Sequence, residues 1–333
     1  MAQPTSAQKI VFGSMTLGKE GADQARVHSL EESGAILDVF QKFGHIEVDS
    51  ARSYAGGSTE EYLGALKWQE RGLVLDTKLS PLGRLGATKY THSPADLRRG
   101  LRDSLTALRT DKVDLWYLHA PDHNVPYEET LREVNELHKQ GYFKRFGLSN
   151  YAAWEVAQIS EICIRNGWKR PDVYQGVYNG LHRSVEAELF PALRHYGIAF
   201  YAYNPLAGGF LTDRYERSTQ DHEEGSRFDP NRSQGKSYRG RYWNETYFDA
   251  LDKVRPVAKD LGINTAEAAL RWISHHGVLN KEKGDAIIIG ASSAKQLDEN
   301  LQNLGKGPLP EELVKAFDEA WRVAKGRVEN YFR

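Results

Sequence analysis

The sequence predicts a single (β/α)8 barrel over residues 1–333, and three observations predict it. Short runs rich in β-branched and aromatic residues alternate with amphipathic helical patterns, the signature of βα units around a parallel sheet. Eight such runs fit a chain of 333 residues, a length at which that barrel closes. No Pro/Gly/Ser-rich linker divides the chain at its middle, and no repeat of about 20–50 residues appears. A doubly wound α/β sheet is the alternative, and it would split more naturally into two domains.

Taken in order, the candidate strands are Ile10–Ser14, Ile46–Asp49, Val74–Lys78, Val113–His119, Arg145–Ser149, Val173–Gln175, Ile198–Tyr203 and Ala286–Ile289. The helices between them have legible starts. In "SPADLRRGLRDSLTAL" Ser93 caps, Pro94 takes the first helical position, and Leu97, Leu101, Leu105 and Leu108 form one apolar stripe. Ser58 and Glu61 read as a capping box opening "STEEYLGALK". Further helices are expected at Tyr127–Lys139, Tyr151–Arg165, Ser184–His195, Thr265–His275 and Ser293–Leu301, with Trp116, Trp154, Trp168 and Trp272 as packing residues. The stretch Asp213 to Tyr247 is polar, lacks an apolar period, and reads as a lid, a binding loop or a disordered segment.

Composition narrows the function. A formal net charge of -1 gives no electrostatic case for nucleic acid or anionic membrane. Cys163 is the only cysteine, so an internal disulfide and a thiolate metal cluster are both excluded, which favours a reducing compartment. The start "MAQPTSAQKIVFGS" has no basic segment followed by an apolar one, and a cytoplasmic location is expected. His119 and His123 follow a strand rather than sit on a helix and have no third ligand, so no metal site is expected.

Barrel enzymes carry their chemistry at the carboxyl ends of the strands. Those ends read Asp49, Lys78, His119, Ser149–Asn150, Gln175, Tyr203 and Gly290, and few of them are apolar. Asp49 closes a buried strand and so needs a partner, because an unpaired buried carboxylate is strongly disfavoured. Lys78 supplies one. The same ammonium would favour the phenolate of nearby Tyr54 and lower its pKa from about 10. A neutral His119 could donate a hydrogen bond to a developing oxyanion. An acid beside an oxyanion donor suits carbonyl reduction, and since no side chain supplies hydride, a cofactor must.

These segments resemble those of the aldo-keto reductases, and within them the aflatoxin-aldehyde and succinic-semialdehyde reductase subgroup, from about Phe12 to Arg333. "VDSARSYAGGSTEEYLG", "LDTKL" and "VDLWYLHAPD" resemble the family's catalytic segments, which implies a tetrad of Asp49, Tyr54, Lys78 and His119, with the tyrosine as acid. "FGLSNY" and "VYQGVYN" imply that Ser149, Asn150 and Gln175 hold a nicotinamide carboxamide, and "YAYNPLAGGFL" implies that Tyr203 stacks on its ring. The same stretch implies that Asn204, Pro205, Leu206, Ala207, Gly208, Gly209 and Leu211 follow the pyrophosphate. "IIIGASSAKQLDENL" resembles the family's segment around the adenosine phosphate, which implies that Gly290, Ser292, Gln296 and Asn300 meet it, with Arg227 and Lys295 as its cationic partners. "SYRGRYW" and the closing "ENYFR" imply that Tyr238, Arg241 and Arg333 face substrate, with His119. The two arginines could clamp a substrate carboxylate, with solvated surface residues as the plainer reading. The resemblance thus implies an NADPH-dependent aldehyde reductase, with NADH left open, a tail of about residues 321–333 over the pocket, and a homodimer. A cofactor-sensing regulatory subunit of the same fold and an oxidoreductase step in a biosynthetic pathway are the alternatives.

Overall fold

A computed structural model describes residues 6–81, 89–219 and 223–333. Residues 1–5 of the amino-terminal segment and 220–222 of the expected lid lie outside the described residues. Strands β1 (Lys9–Gly13), β2 (Glu47–Asp49), β3 (Val74–Leu79), β4 (Val113–Leu118), β5 (Phe143–Ser149), β6 (Val173–Val177), β7 (Ala199–Tyr203) and β8 (Ala286–Ile289) close into one parallel barrel in sequence order. Pairing of β1 with β8, Lys9 opposite Ala286, completes the ring.

Around it lie helices α1 (Leu30–Lys42), α2 (Ser58–Ala65), α3 (Pro94–Ala107), α4 (Tyr127–Lys139), α5 (Ala153–Asn166), α6 (Leu189–Tyr196), α7 (Ser233–Tyr242), α8 (Glu245–Asp260), α9 (Thr265–His275), α10 (Ala294–Leu304) and α11 (Glu311–Ala324). Among the described residues these exceed the number the barrel repeat requires, and the surplus lies in the lid and the carboxyl-terminal region. Ser93 caps α3 as expected, its hydroxyl accepting from the Asp96 amide.

Four local expectations are corrected. Ser58 does not form a capping box: its hydroxyl donates to Ala55 O at 2.7 Å and accepts from Lys19 N at 3.0 Å, while Glu61 pairs with Lys19. The helix expected at Ser184–His195 is broken into a 3-10 turn and α6, because Pro191 has no N–H and is tolerated only in a first turn. The lid is not patternless. It contains α7, and its Phe228, Tyr242 and Tyr247 are fully buried with Phe210 and Phe248 in an aromatic cluster whose spacing follows no single helix face. Trp154 is 63% exposed and packs no core, unlike the buried Trp116 and Trp272.

Inside the barrel, side chains two apart on a strand share a face, so Glu47 and Asp49, and Asp76 and Lys78, all point inward. Val11, Leu115, Tyr117, Val173, Tyr201 and Ile288 pack this interior. Its amino-terminal end is sealed by Arg145, whose Nη2 lies 3.0 Å from Glu47 Oε1, and by the Tyr201 hydroxyl donating to the same oxygen at 2.9 Å. The carboxyl-terminal end is left open for the site. No helix among the described residues is long and apolar enough to cross a membrane.

Candidate active site

At the open end, β2 and β3 bring three expected residues together. Lys78 is fully buried, and its Nζ donates to Asp49 Oδ2 at 2.5 Å, to Ser50 O at 2.7 Å and to the Tyr54 hydroxyl at 3.2 Å. The second oxygen of Asp49 accepts from Gln175 Nε2 at 2.8 Å. The carboxylate that ends the β2 apolar run is therefore paired on both oxygens. Lys78 also stacks between aromatic faces, its Nζ lying 4.8 Å from the Tyr54 ring centroid and 5.7 Å from that of Tyr117.

Tyr54 reaches this point because the chain turns back sharply behind it. Ala55, Gly56 and Gly57 all have left-handed φ values, 47°, 64° and 99°, before α2 begins. At Gly57 a Cβ would fall on the Arg52 guanidinium, so only glycine serves there. Arg52 is itself fixed by an ion pair to the buried Glu60.

Burial raises the Tyr54 phenol above its ordinary pKa, and the Lys78 charge opposes that rise without reversing it. This corrects the expected acidification: in the chain by itself desolvation outweighs the cation, so the phenol holds its proton. Burial likewise penalises the Lys78 ammonium, but the charge of Asp49 and the hydrogen bonds that Lys78 donates to Asp49 and Tyr54 outweigh it, and its pKa stands above the usual lysine value. His119, at the end of β4, meets Tyr54 edge-on with ring centroids 5.9 Å apart. Burial, then the charges of Lys78 and Arg333, holds its pKa well below the usual imidazole value, so it is neutral.

Above these residues opens a cavity of about 780 Å³. Asp49, Tyr54, His119, Ser149, Asn150, Gln175 and Tyr203 line one end of it, and Gly290, Ser292, Gln296 and Arg227 line the other, at β8. Asn204, Pro205, Leu206, Gly208 and Gly209 form the wall between them, and Tyr238, Arg241 and Arg333 belong to the lid and tail side. Five expected residues are not on the wall. Lys78 acts from beneath, Ala207 and Leu211 are fully buried under the loop, and Asn300 is 6% exposed with its Nδ2 unpartnered. Lys295 is 87% exposed and faces Glu299, away from the cavity.

The wall is internally braced. Asn150, at φ 64°, donates to His119 O at 2.8 Å and accepts from the Tyr203 hydroxyl at 3.0 Å. Tyr238 donates to Asn204 Oδ1 at 2.9 Å and its ring covers Gly208, where a Cβ would come within 2.3 Å of it. The tail is tied down as well: the Tyr331 hydroxyl donates to Glu188 Oε1 at 2.5 Å and accepts from Ala153 N, and Arg333 N donates to Asn150 O at 3.0 Å. Sequence reasoning missed Met15, Gln24 and Arg26 after β1, Ser233 and Gln234 of the lid, and Glu329 and Phe332 of the tail. The strand-end rule could have found the first group, since Gly13 ends β1 at the same rim.

These residues fit a nicotinamide dinucleotide. Left-handed backbone at Asn204, Ala207, Gly208 and Gly209 opens the loop toward the cavity. The Arg227 Nη2 lies 3.4 Å from the point a Cβ on Gly290 would occupy, which places a cation at the β8 end.

Such a barrel, with a buried lysine–tyrosine–aspartate set at its mouth, defines an oxidoreductase that works with a nicotinamide cofactor. The aldo/keto reductase family model matches residues 9–322, and the chain belongs to that family. It is 59% identical over 297 residues, 89% of this chain and 100% of the relative, to an aldo-keto reductase of Pseudocercospora fijiensis. It is 47% identical to the aldo-keto reductase pigE of Monascus ruber, covering 99% of this chain and 98% of that one. Aflatoxin B1 aldehyde reductase member 2 of Mus musculus is 42% identical over 328 residues, 97% of this chain and 87% of the relative.

Proposed function

We propose that the chain reduces aldehydes to alcohols with NADPH, Tyr54 giving the proton. The observation that carries this reading is the Lys78 ammonium, held 2.5 Å from Asp49 and 3.2 Å from the Tyr54 hydroxyl at the foot of the cavity. Ser149, Asn150, Gln175 and Tyr203 would hold the nicotinamide, the loop at 204–209 the pyrophosphate, and Ser292, Gln296, Asn300 and Arg227 the adenosine phosphate. When bound, the cofactor supplies hydride to the carbonyl carbon.

The protein's own part is the oxygen. Tyr54 donates its proton there, and as the phenolate forms, the adjacent ammonium stabilises it. Asp49 keeps Lys78 charged and aimed, and Gln175 keeps Asp49 in place. Neutral His119 is suited to donate to the same oxygen and orient the carbonyl. The relatives named aflatoxin B1 aldehyde reductases support an aldehyde as the substrate class, with dialdehydes, semialdehydes and aromatic aldehydes as the candidates.

The test is a thermal shift with NADPH against NADH, followed by an aldehyde panel, on the native chain and Tyr54→Phe. The variant is expected to lose about 10²–10⁴-fold in turnover, the scale of general-acid catalysis, while NADPH still quenches its tryptophan fluorescence. Undiminished reduction of 4-nitrobenzaldehyde by that variant would overturn the reading. Only sluggish single turnovers across the panel would favour a cofactor-sensing subunit instead.

A further inference from the structure

The substrate side of the cavity contains two arginines with different surroundings. Arg241, on α7, keeps only 14% of its side chain exposed, and its Nε lies 3.3 Å from Glu329 Oε2. Arg333, at the end of the chain, has no carboxylate partner among the described residues. Apart from Asp49, which is neutralised by Lys78, Glu329 has the sole side-chain carboxylate on the cavity wall among those residues. Burial disfavours the Arg241 cation, while the tyrosines 203, 242 and 238, and then Glu329, favour it strongly enough to keep it charged.

We propose that Glu329 is an internal competitor for Arg241: it fills the position a substrate carboxylate would take, so the pocket discriminates against anionic aldehydes in favour of uncharged ones. The contact is a single one rather than a bidentate fork, and 51% of the Glu329 side chain is exposed. It is thus displaceable, but at a cost that an uncharged aldehyde does not meet. The tail gives Glu329 a fixed seat, since Tyr331 is anchored on Glu188 and Ala153, and Arg333 on Asn150. Gly240 opposite presents no side chain toward the carboxylate, whose Oε1 lies 4.0 Å from where its Cβ would be. The proposal rests on the aldehyde-reductase reading for its substrates, though not for its binding chemistry.

The experiment compares succinic semialdehyde with 4-nitrobenzaldehyde in the native chain, Glu329→Gln, Arg241→Gln and the double variant. Glu329→Gln is expected to raise the ratio of kcat/KM for the anionic over the uncharged aldehyde by about three- to fivefold, the upper scale of a partly exposed ion pair. In the Arg241→Gln background the same change is expected to do nothing. A ratio within about twofold of the native value overturns the proposal, as does a rise that persists without Arg241. Succinate reads the same subsite without turnover: its half-saturation in a thermal-shift titration should fall by a similar factor in Glu329→Gln. If 4-nitrobenzaldehyde is not reduced at all, the aldehyde-reductase reading fails while the succinate titration still decides this one.

Discussion

Lys78 and Asp49 form an ion pair with almost no solvent, their side chains 0% and 3% exposed and their charged atoms 2.5 Å apart. A buried charge stripped of its partner costs about 3–5 kcal/mol. Asp49→Asn is therefore expected to destabilise the chain on that scale, because Lys78 stays buried with only neutral acceptors and no carboxylate to balance its charge. Adding Lys78→Met to the Asp49→Asn variant should recover much of the loss, since an apolar stem of similar length removes the orphaned charge. Urea unfolding measures both. If the two single losses simply add in the double variant, the pair is not coupled as the geometry requires.

Acid should weaken the fold through buried histidines. Burial holds His92 neutral down to about 4, against the opposing charge of Asp122; burial with the charge of Arg241 holds His182 neutral down to about 3. In the unfolded chain both titrate near ~6.5, so below that pH the unfolded state binds protons that the native state refuses. Stability is then fully present above about pH 6.5 and declines as pH falls, by ~1.4 kcal/mol per pH unit for each histidine until the folded value is reached. Neither ring nitrogen of His182 has a hydrogen-bond partner among the described residues, so His182→Leu breaks no bond. That variant should show a shallower decline of Tm between pH 6 and pH 4.5. An unchanged slope would count against the assignment.

The barrel was legible because its signal is local and repeated. Alternation of strand and helix patterns needs no long-range information, and the strand ends that suggested chemistry, from Asp49 to Tyr203, meet at one rim with Lys78 just beneath it. The lid was not legible, because Phe228, Tyr242 and Tyr247 pack around Phe210 from positions that share no helix face and are separated by polar residues. The Tyr54 proton balance was misjudged for a related reason. A sequence shows that a lysine is near, but the depth of burial that outweighs it is a tertiary property. Glu329 fell inside a segment read for its terminal arginine, and its partner is 88 residues away.

Gly147 gives a stability test inside the barrel. It pairs with Tyr117 across β4 and β5, and a Cβ on it would lie 2.2 Å from Tyr117 Cδ1. The ring is fully buried, with Lys78 Nζ 5.7 Å from its centroid. Gly147→Ala should cost about 1–3 kcal/mol, the scale of an overpacked core. Because the displaced ring presses on Lys78, turnover should fall more than stability alone accounts for at a temperature where the variant stays folded. Normal turnover with normal Tm would show that the interior yields more easily than its packing implies.

Arg227 tests the choice of cofactor. Its guanidinium lies beside Gly290 at the β8 end, with Ser292 and Gln296 on the same wall, whereas Lys295 faces away. A phosphate ester on the adenosine ribose would meet it as a charge-assisted contact, worth about 1.5–3 kcal/mol. Arg227→Ala is accordingly expected to raise KM for NADPH by roughly ten- to a hundredfold while leaving KM for NADH nearly unchanged, because NADH lacks that phosphate. Arg227 also donates to the Tyr238 hydroxyl at 3.4 Å, so a general loosening of the lid would raise both constants together. Equal rises for the two cofactors would therefore assign Arg227 to holding the lid and remove the basis for a preference for NADPH.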